Sequence, residues 1–369
     1  MTNRILVVAV LLSLLGSPQA QSQSDTARED ESSPVKPISH CQLTHDTPMP
    51  DVCGCDDGSC GGACCASEYF GPNWQFFGEY LYIRPGKDKV SYAVPINGGI
   101  VPPAGAPPVQ VGPEAVVDCN FKSGFRTGFS RALNSCADLG VTYTYLESDI
   151  FDQMSIDPLF VIRSLVNHPG TVAAPTDFLD ANANYEIRFD LIDIDYRRAL
   201  VCGERSALRY FIGVRYANLE QQFDSRFSNS TMIETVTSDV RFDGGGIRVG
   251  LEGERHARNL GLMIYGRGAA SFLGGEFRGR YAQGDSVRGD LVDTGWREDR
   301  IVSVLDFELG IGWASRTGSL RLTAGYFFSA WCGVIQTDEF IRAVRSNDSV
   351  SIDDTITFDG LVVRTELLY

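Results

Sequence analysis

Leu361-Val362-Val363-Arg364-Thr365-Glu366-Leu367-Leu368-Tyr369 is the stretch on which the fold reading turns. Side chains of an extended chain alternate between two faces. Leu361, Val363, Thr365, Leu367 and Tyr369 therefore share one face, and Arg364 and Glu366 share the other. A strand with one apolar and one charged face, ending on an aromatic, is how bacterial outer-membrane barrels close. The same five residues form the candidate insertion signal, through which barrel-assembly machinery would be engaged.

Upstream, the two-residue period repeats. Phe125, Thr127 and Phe129 oppose Arg126, Gly128 and Ser130, and Leu139, Val141, Tyr143 and Tyr145 oppose Gly140, Thr142 and Thr144. Tyr185, Ile187, Phe189 and Leu191 oppose Glu186, Arg188 and Asp190; Leu208 to Tyr216 and Ile247 to Leu251 alternate likewise. The longest dyad, residues 300–313, sets Ile301, Leu305, Phe307, Leu309, Ile311 and Trp313 against Arg300, Asp306 and Glu308. In 74–84 (WQFFGEYLYIR) either Phe77/Leu81/Ile83 or Phe76/Tyr80/Tyr82 could meet lipid. Residues 261–282 read as one strand bulged at Gly274-Gly275 or as two shorter ones. Connections between these segments run long (85–120, 149–183, 222–238, 283–298, 334–355) and short (133–137, 199–205, 254–260, 315–318) in strict alternation. That asymmetry predicts an all-β, antiparallel, up-and-down transmembrane barrel with long extracellular loops and short periplasmic turns. Ten strands satisfy the parity; a strand hidden in 88–118 together with a split at 261–282 makes twelve. A secreted β-sandwich also alternates, but with strands nearer five or six residues.

The N-terminus reads as a signal peptide over residues 1–22, with Arg4 before the apolar run Ile5–Leu15, too short to span a bilayer. Residues 23–69 read as a disordered, polar, Cys-rich periplasmic tail or linker, and 70–369 as the barrel. No later run is long and apolar enough for a spanning helix, so membrane crossing falls to strands. The ten cysteines suit an oxidising compartment. Cys53, Cys55, Cys60, Cys64 and Cys65 lack zinc-ribbon spacing and favour disulfides. Cys119 and Cys136 fall at opposite ends of the barrel and are not expected to pair. A net charge of -15 and four histidines argue against nucleic acid as a partner.

The polar face predicts a lumen lined by Arg126, Arg188, Arg209, Arg215, Arg248, Glu252, Arg300, Asp306, Glu308, Arg321, Arg364 and Glu366. Such a lining either conducts ions or small polar solutes, or pairs up and fills a narrow barrel. The only histidine expected near the extracellular rim is His168, with Asp149, Asp152 and Asp157 upstream; a lone loop histidine among aspartates is a weak basis for a hydrolase. GGGIRVG at 244–250 sits in a strand pattern rather than ahead of a helix, and Ser155–Val166 could fold as a short amphipathic helix at the mouth. The expected role is a porin for passive diffusion, without catalysis, metal or cofactor, whose partners are outer-membrane lipid and small solutes. A plugged structural or adhesive barrel with binding loops is the alternative.

Six segments in order, 74–84, 208–219 (LRYFIGVRYANL), 244–251 (GGGIRVGL), 262–273 (LMIYGRGAASFL), 305–313 (LDFELGIGW) and 318–328 (GSLRLTAGYFF), make residues 70–369 resemble the Legionella-type major outer membrane protein family. These proteins are also abundant in planctomycetes. The resemblance implies a pore-forming outer-membrane β-barrel without defined catalytic residues, and it does not extend to the cysteine-rich 41–65.

Overall fold

A computed structural model describes residues 74–369, apart from 87–88, 98–108, 135, 158, 172–176, 204, 258–260, 316–318 and 349–351. The expected signal peptide and cysteine-rich tail lie outside the described residues. Thirteen strands and one α-helix are present among the described residues: β1 (Trp74–Gly86), β2 (Lys89–Asn97), β3 (Ala115–Asp118), β4 (Lys122–Asn134), β5 (Ala137–Ser155), β6 (Phe160–Ser164), β7 (Asp180–Cys202), β8 (Ser206–Ser228), β9 (Ile233–His256), β10 (Leu262–Asp285), β11 (Gly289–Ala314), β12 (Leu320–Val334), α1 (Thr337–Ser346) and β13 (Asp354–Leu368).

Ten of the strands close into an antiparallel barrel in the order β1-β13-β12-β11-β10-β9-β8-β7-β5-β4, with β4 returning to β1. The terminal segment behaves as read: Leu361, Val363 and Leu367 are exposed on the outer wall, and Arg364 and Glu366 turn inward. The seam closes where Trp74 N–H donates to the Tyr369 carbonyl and Tyr369 N–H returns the bond to Trp74. β1 settles its ambiguous facing: Phe76, Tyr80 and Tyr82 are outward, and Phe77, Leu81 and Ile83 are buried. Residues 261–282 belong to one strand. The hidden segments of 88–118 do form β2 and β3, but β2 pairs with β3 and β6 in a separate three-stranded sheet, so the barrel keeps ten strands.

The strands are far longer than a bilayer requires. β7 and β8 have 23 residues, β9 and β10 have 24 and β11 has 26, where about 9–11 suffice. The expected long loops at 222–238 and 283–298 are therefore mostly wall, and only residues 229–232 and 286–288 connect the strands. The reason is an inversion of facing along each strand. On β7, Ile192 and Ile194 are outward while Asp193, Asp195 and Arg197 are buried; higher up, Tyr185, Ile187 and Phe189 are buried and Glu186 and Arg188 face out. Parity never changes. The solvent outside the wall does, from lipid to water, and the preferred residue type on each face changes with it. β12 pairs with β11 only from Ser303 on, and β4 with β5 only as far as Leu146, so β5 and β7–β11 stand higher than the rest.

The small sheet and α1 occupy the mouth. Ser155–Val166 does not fold as a helix, since its residues 160–164 are β6, hydrogen-bonded to β2. The helix of the mouth is α1, from the last long connection, with Phe340, Ile341 and Ala343 buried. Glycine is required on β10 where the helix rests: a Cβ on Gly279 would stand 2.6 Å from the Phe340 ring.

Candidate functional site

The interior has two layers. At membrane level the inward positions carry nine carboxylates (Glu79, Asp138, Asp193, Asp195, Glu252, Glu254, Asp306, Glu308, Glu366) against eight guanidiniums (Arg126, Arg197, Arg209, Arg215, Arg248, Arg267, Arg321, Arg364). Some pairs join neighbouring strands and others cross the lumen. Arg126 of β4 bonds Glu79 of β1 at 3.1 Å and Glu308 of β11 at 3.3 Å. Arg215 of β8 grips Asp193 through two bonds of 2.6 and 2.9 Å and reaches Asp306 of β11 at 2.8 Å. Arg321 of β12 meets Glu254 of β9 at 3.0 Å, and Arg209 holds Glu252 at 2.9 Å. Arg248 binds Asp195, which Arg267 also approaches at 3.6 Å. Arg248 and Arg267 stack over the Phe211 ring at 4.8 and 5.1 Å, and Arg364 over Phe77 at 3.9 Å.

Near-equal numbers of opposite charges allow this layer to neutralise itself, which buried charges require. Several of its polar atoms, including Arg267 Nε, Asp195 Oδ1 and Glu366 Oε2, have no protein hydrogen-bond partner. Buried groups of that kind are ordinarily met by ordered water.

Above the charges the inward residues turn apolar. Phe189 of β7, Trp331 of β12 and Phe358 of β13 meet across the lumen, with ring centroids 4.9 to 6.2 Å apart. Higher still, Phe242 and Phe277 pack with ring centroids 4.7 Å apart, and Phe227 packs on Tyr92 of β2 and on Phe178. The cavity left between the layers, lined by Arg126, Arg215, Asp306 and Trp331 among others, holds about 30 Å³, room for about one or two waters.

Two buried glutamines tie the inserted segments to the wall. Gln221 of β8 donates to the Ile335 carbonyl at 2.8 Å and accepts from Thr337 N–H at 3.1 Å, at the start of α1. Gln283 of β10 accepts from His168 N–H at 2.8 Å and donates to Thr171 Oγ1 at 3.0 Å and to Glu234. Burial holds the Glu234 carboxyl above its ordinary pKa, against the lowering effect of its Gln283 and Asn167 hydrogen bonds.

Of the residues expected to line the lumen, Arg126, Arg209, Arg215, Arg248, Glu252, Asp306, Glu308, Arg321, Arg364 and Glu366 come together in the charged layer. Arg188 does not: it lies outside, above the lipid boundary, paired with Glu220 at 2.7 Å. Arg300 lies above the layer, bonded to the Ile352 carbonyl and stacked on Trp296. Reading β7 by its apolar residues alone hid Asp193, Asp195 and Arg197, although Ile192 and Ile194 continue the lipid face beside them. Glu79, Glu254 and Arg267 follow from the same alternation. His168 Nδ1 accepts from Gly170 N–H at 3.0 Å. Among the described residues no carboxylate pairs with it: Asp149 holds Lys122, and Asp152 accepts from Tyr92.

The outer wall carries a lipid-facing apolar band, ringed on the extracellular side by tyrosines. Tyr143 donates to Asp190 at 2.5 Å, Tyr216 to Asp243 at 3.1 Å, and Tyr326 to Asp359. Such aromatic girdles mark membrane interfaces.

Among solved structures, the outer membrane protease OmpT of Escherichia coli is similar over 80% of this chain and 97% of its own, at 10% identity and a TM-score of 0.45. The toluene transporter TodX of Pseudomonas putida is similar over 82% and 92%, at 8% identity and a TM-score of 0.33. A FadL homologue of Pseudomonas aeruginosa covers 82% and 93%, at 9% identity and a TM-score of 0.24. No curated protein matches the chain. The family model described as the Legionella pneumophila major outer membrane protein precursor matches residues 70–367. With that span of match and a closed ten-stranded barrel, the chain belongs to the Legionella major outer membrane protein family and resides in the outer membrane.

Proposed function

We propose that this protein is a plugged outer-membrane barrel, closed to passive diffusion at rest, which acts through the tall extracellular wall of β5 and β7–β11. The carrying observation is the aromatic layer of Phe189, Trp331 and Phe358 directly above charges that bridge the lumen. An ion would have to break the Arg215–Asp306 and Arg126–Glu308 bridges and then cross a packed apolar layer, and the space between holds only about 30 Å³. This favours the filled-barrel alternative over the open porin that the arginine-rich face suggests. No step of this reading uses a catalytic residue, metal or cofactor.

Single-channel conductance tests it, using protein shown to be folded by heat-modifiable gel migration. Folded protein should give no discrete current steps. Reproducible steps at low voltage would overturn the closed reading.

A specific observation supports a second reading, a gated pore. Much of the upper filling comes from inserted segments, β2, β6 and α1, held to the wall through Gln221 and Gln283. Replacing residues 336–353 by a short Gly-Ser link would remove α1. Steps in that variant alone would identify α1 as a gate.

A further inference from the structure

Every arginine of the charged layer has a carboxylate within ion-pair distance, but four arginines at one rim have none among the described residues. Arg131 of β4, Arg198 of β7, Arg205 just before β8 and Arg255 of β9 lie at the end of the barrel that carries Trp74 and Tyr369, the periplasmic end. Their strands are neighbours in the order β9-β8-β7-β5-β4, so the four occupy one arc covering half of the ten-stranded wall. Arg255 stands opposite Ser206, the residue after Arg205, and Arg198 stands opposite Ala137 and Tyr210.

Parity places three of them on the lipid side. Arg131 continues the face of Phe125 and Phe129, Arg198 that of Ile192 and Ile194, and Arg255 that of Val249 and Leu251. All three are exposed, and the Arg131 guanidinium stands 5.4 Å from the Trp74 ring centroid, within the aromatic belt. Among the described residues the side-chain carboxylates Asp138, Glu252, Glu254 and Glu366 near this level face the lumen, away from them. At the extracellular boundary the outward arginines are paired instead: Arg188 meets Glu220 at 2.7 Å, Arg241 meets Asp239 at 2.9 Å and Arg278 meets Glu276 at 2.9 Å.

An arginine one or two residues beyond a lipid-facing apolar position reaches the phosphate level of the leaflet, its stem along the apolar belt and its fork free. A guanidinium presents two parallel donors that match two phosphate oxygens. We infer that this arc is a binding surface for anionic phospholipid headgroups of the periplasmic leaflet, recognised through a phosphate whose charge no headgroup cation cancels. The inference rests on the outer-membrane placement and is independent of whether the lumen conducts.

The full chain is reconstituted in phosphatidylcholine vesicles containing a minority of phosphatidylglycerol. It is then extracted with its surrounding lipid into polymer-bounded nanodiscs, and the ratio of the two lipids is measured. Wild type should retain phosphatidylglycerol enriched about fivefold over the vesicle. Arg131→Gln/Arg198→Gln/Arg205→Gln/Arg255→Gln should return to the vesicle ratio, and lysine at the same four positions should keep most of the enrichment. The paired variants Arg131→Gln/Arg205→Gln and Arg198→Gln/Arg255→Gln should each lose part of it, and they carry the test if the fourfold variant does not fold. Arg163→Gln/Arg226→Gln, which removes arginines of the other end that also lack an ion pair among the described residues, should change nothing. The vesicle ratio in wild type, or undiminished enrichment in the arc variants, would each overturn the inference. Retention of an acidic periplasmic protein or cell-wall fragment by wild type in place of the lipid would overturn it too.

Discussion

Removing the Gln221 side chain should release α1 while leaving the barrel standing. Gln221 is buried and touches the plug at three points: the Ile335 carbonyl at 2.8 Å, Thr337 N–H at 3.1 Å and Thr337 Oγ1 at 3.3 Å. The Tyr185 hydroxyl also donates to it, at 3.2 Å. Gln221→Ala leaves at least a buried carbonyl and a buried N–H unpaired, at about 1–3 kcal/mol each, so docking of the helix should weaken by about 3 kcal/mol. That corresponds to an increase of about a hundredfold in the population of the undocked segment, if α1 opens as a local unit. Trypsin cleavage after Arg342 or Arg345, followed by mass spectrometry on protein in vesicles, reads this population directly when opening is fast relative to cutting. The rate should rise about a hundredfold in Gln221→Ala. It should not change in Gln222→Ala, whose side chain faces out and bonds only Asp224 among the described residues. An unchanged rate in folded Gln221→Ala would refute the claim that this clasp holds the plug.

Four further outcomes are expected. Arg215→Leu removes the cation that hydrogen-bonds both Asp193 and Asp306, leaving them Arg248 at 3.5 and 4.0 Å, and should cost about 3 kcal/mol in urea unfolding, with part regained in Arg215→Leu/Asp193→Leu; equal stability of Arg215→Leu and wild type would show that the layer does not depend on that bridge. Gly246→Ala should abolish heat-modifiable folding, because its Cβ would lie 1.8 Å from the Phe272 carbonyl oxygen of the paired strand. For Glu234, burial raises the folded pKa above the unfolded value, so its protonated form is favoured by folding. Its contribution is full below about pH 4.5, the unfolded value, and is lost as pH rises through the folded one. Protection of the 160–171 segment from proteolysis should therefore increase on acidification in wild type and stay flat in Glu234→Gln. Deleting Tyr369 removes the last two hydrogen bonds of the β1–β13 seam and the terminal aromatic of the proposed insertion signal, and should lower the membrane-inserted fraction measured after cell fractionation.

The barrel was legible because one rule suffices for it. A wall with lipid outside must alternate, and the alternation at 125–129, 139–145, 247–251, 300–313 and 361–369 read directly as facing. The same rule failed at Tyr185–Leu191, where apolar residues point inward and Arg188 points out. Nothing in a local pattern reports the height at which lipid gives way to water. The boundary shows only as a reversal of type at constant parity, visible once β7 is followed from Asp180 to Cys202.

The sequence by itself determined the strand period, an even barrel of ten or twelve strands, most of the outer lipid face and most members of the charged layer, because each depends on residue type at spacing two. Which of those charges meet one another across the lumen was decided only in the tertiary structure. Arg126 meets Glu308 and Arg215 meets Asp306 across strands that are not neighbours, and α1 and the β2–β3–β6 sheet enter the mouth from loops with no periodic signature. These contacts depend on barrel diameter and on where long connections return, quantities set by closure of the whole sheet rather than by any stretch of chain.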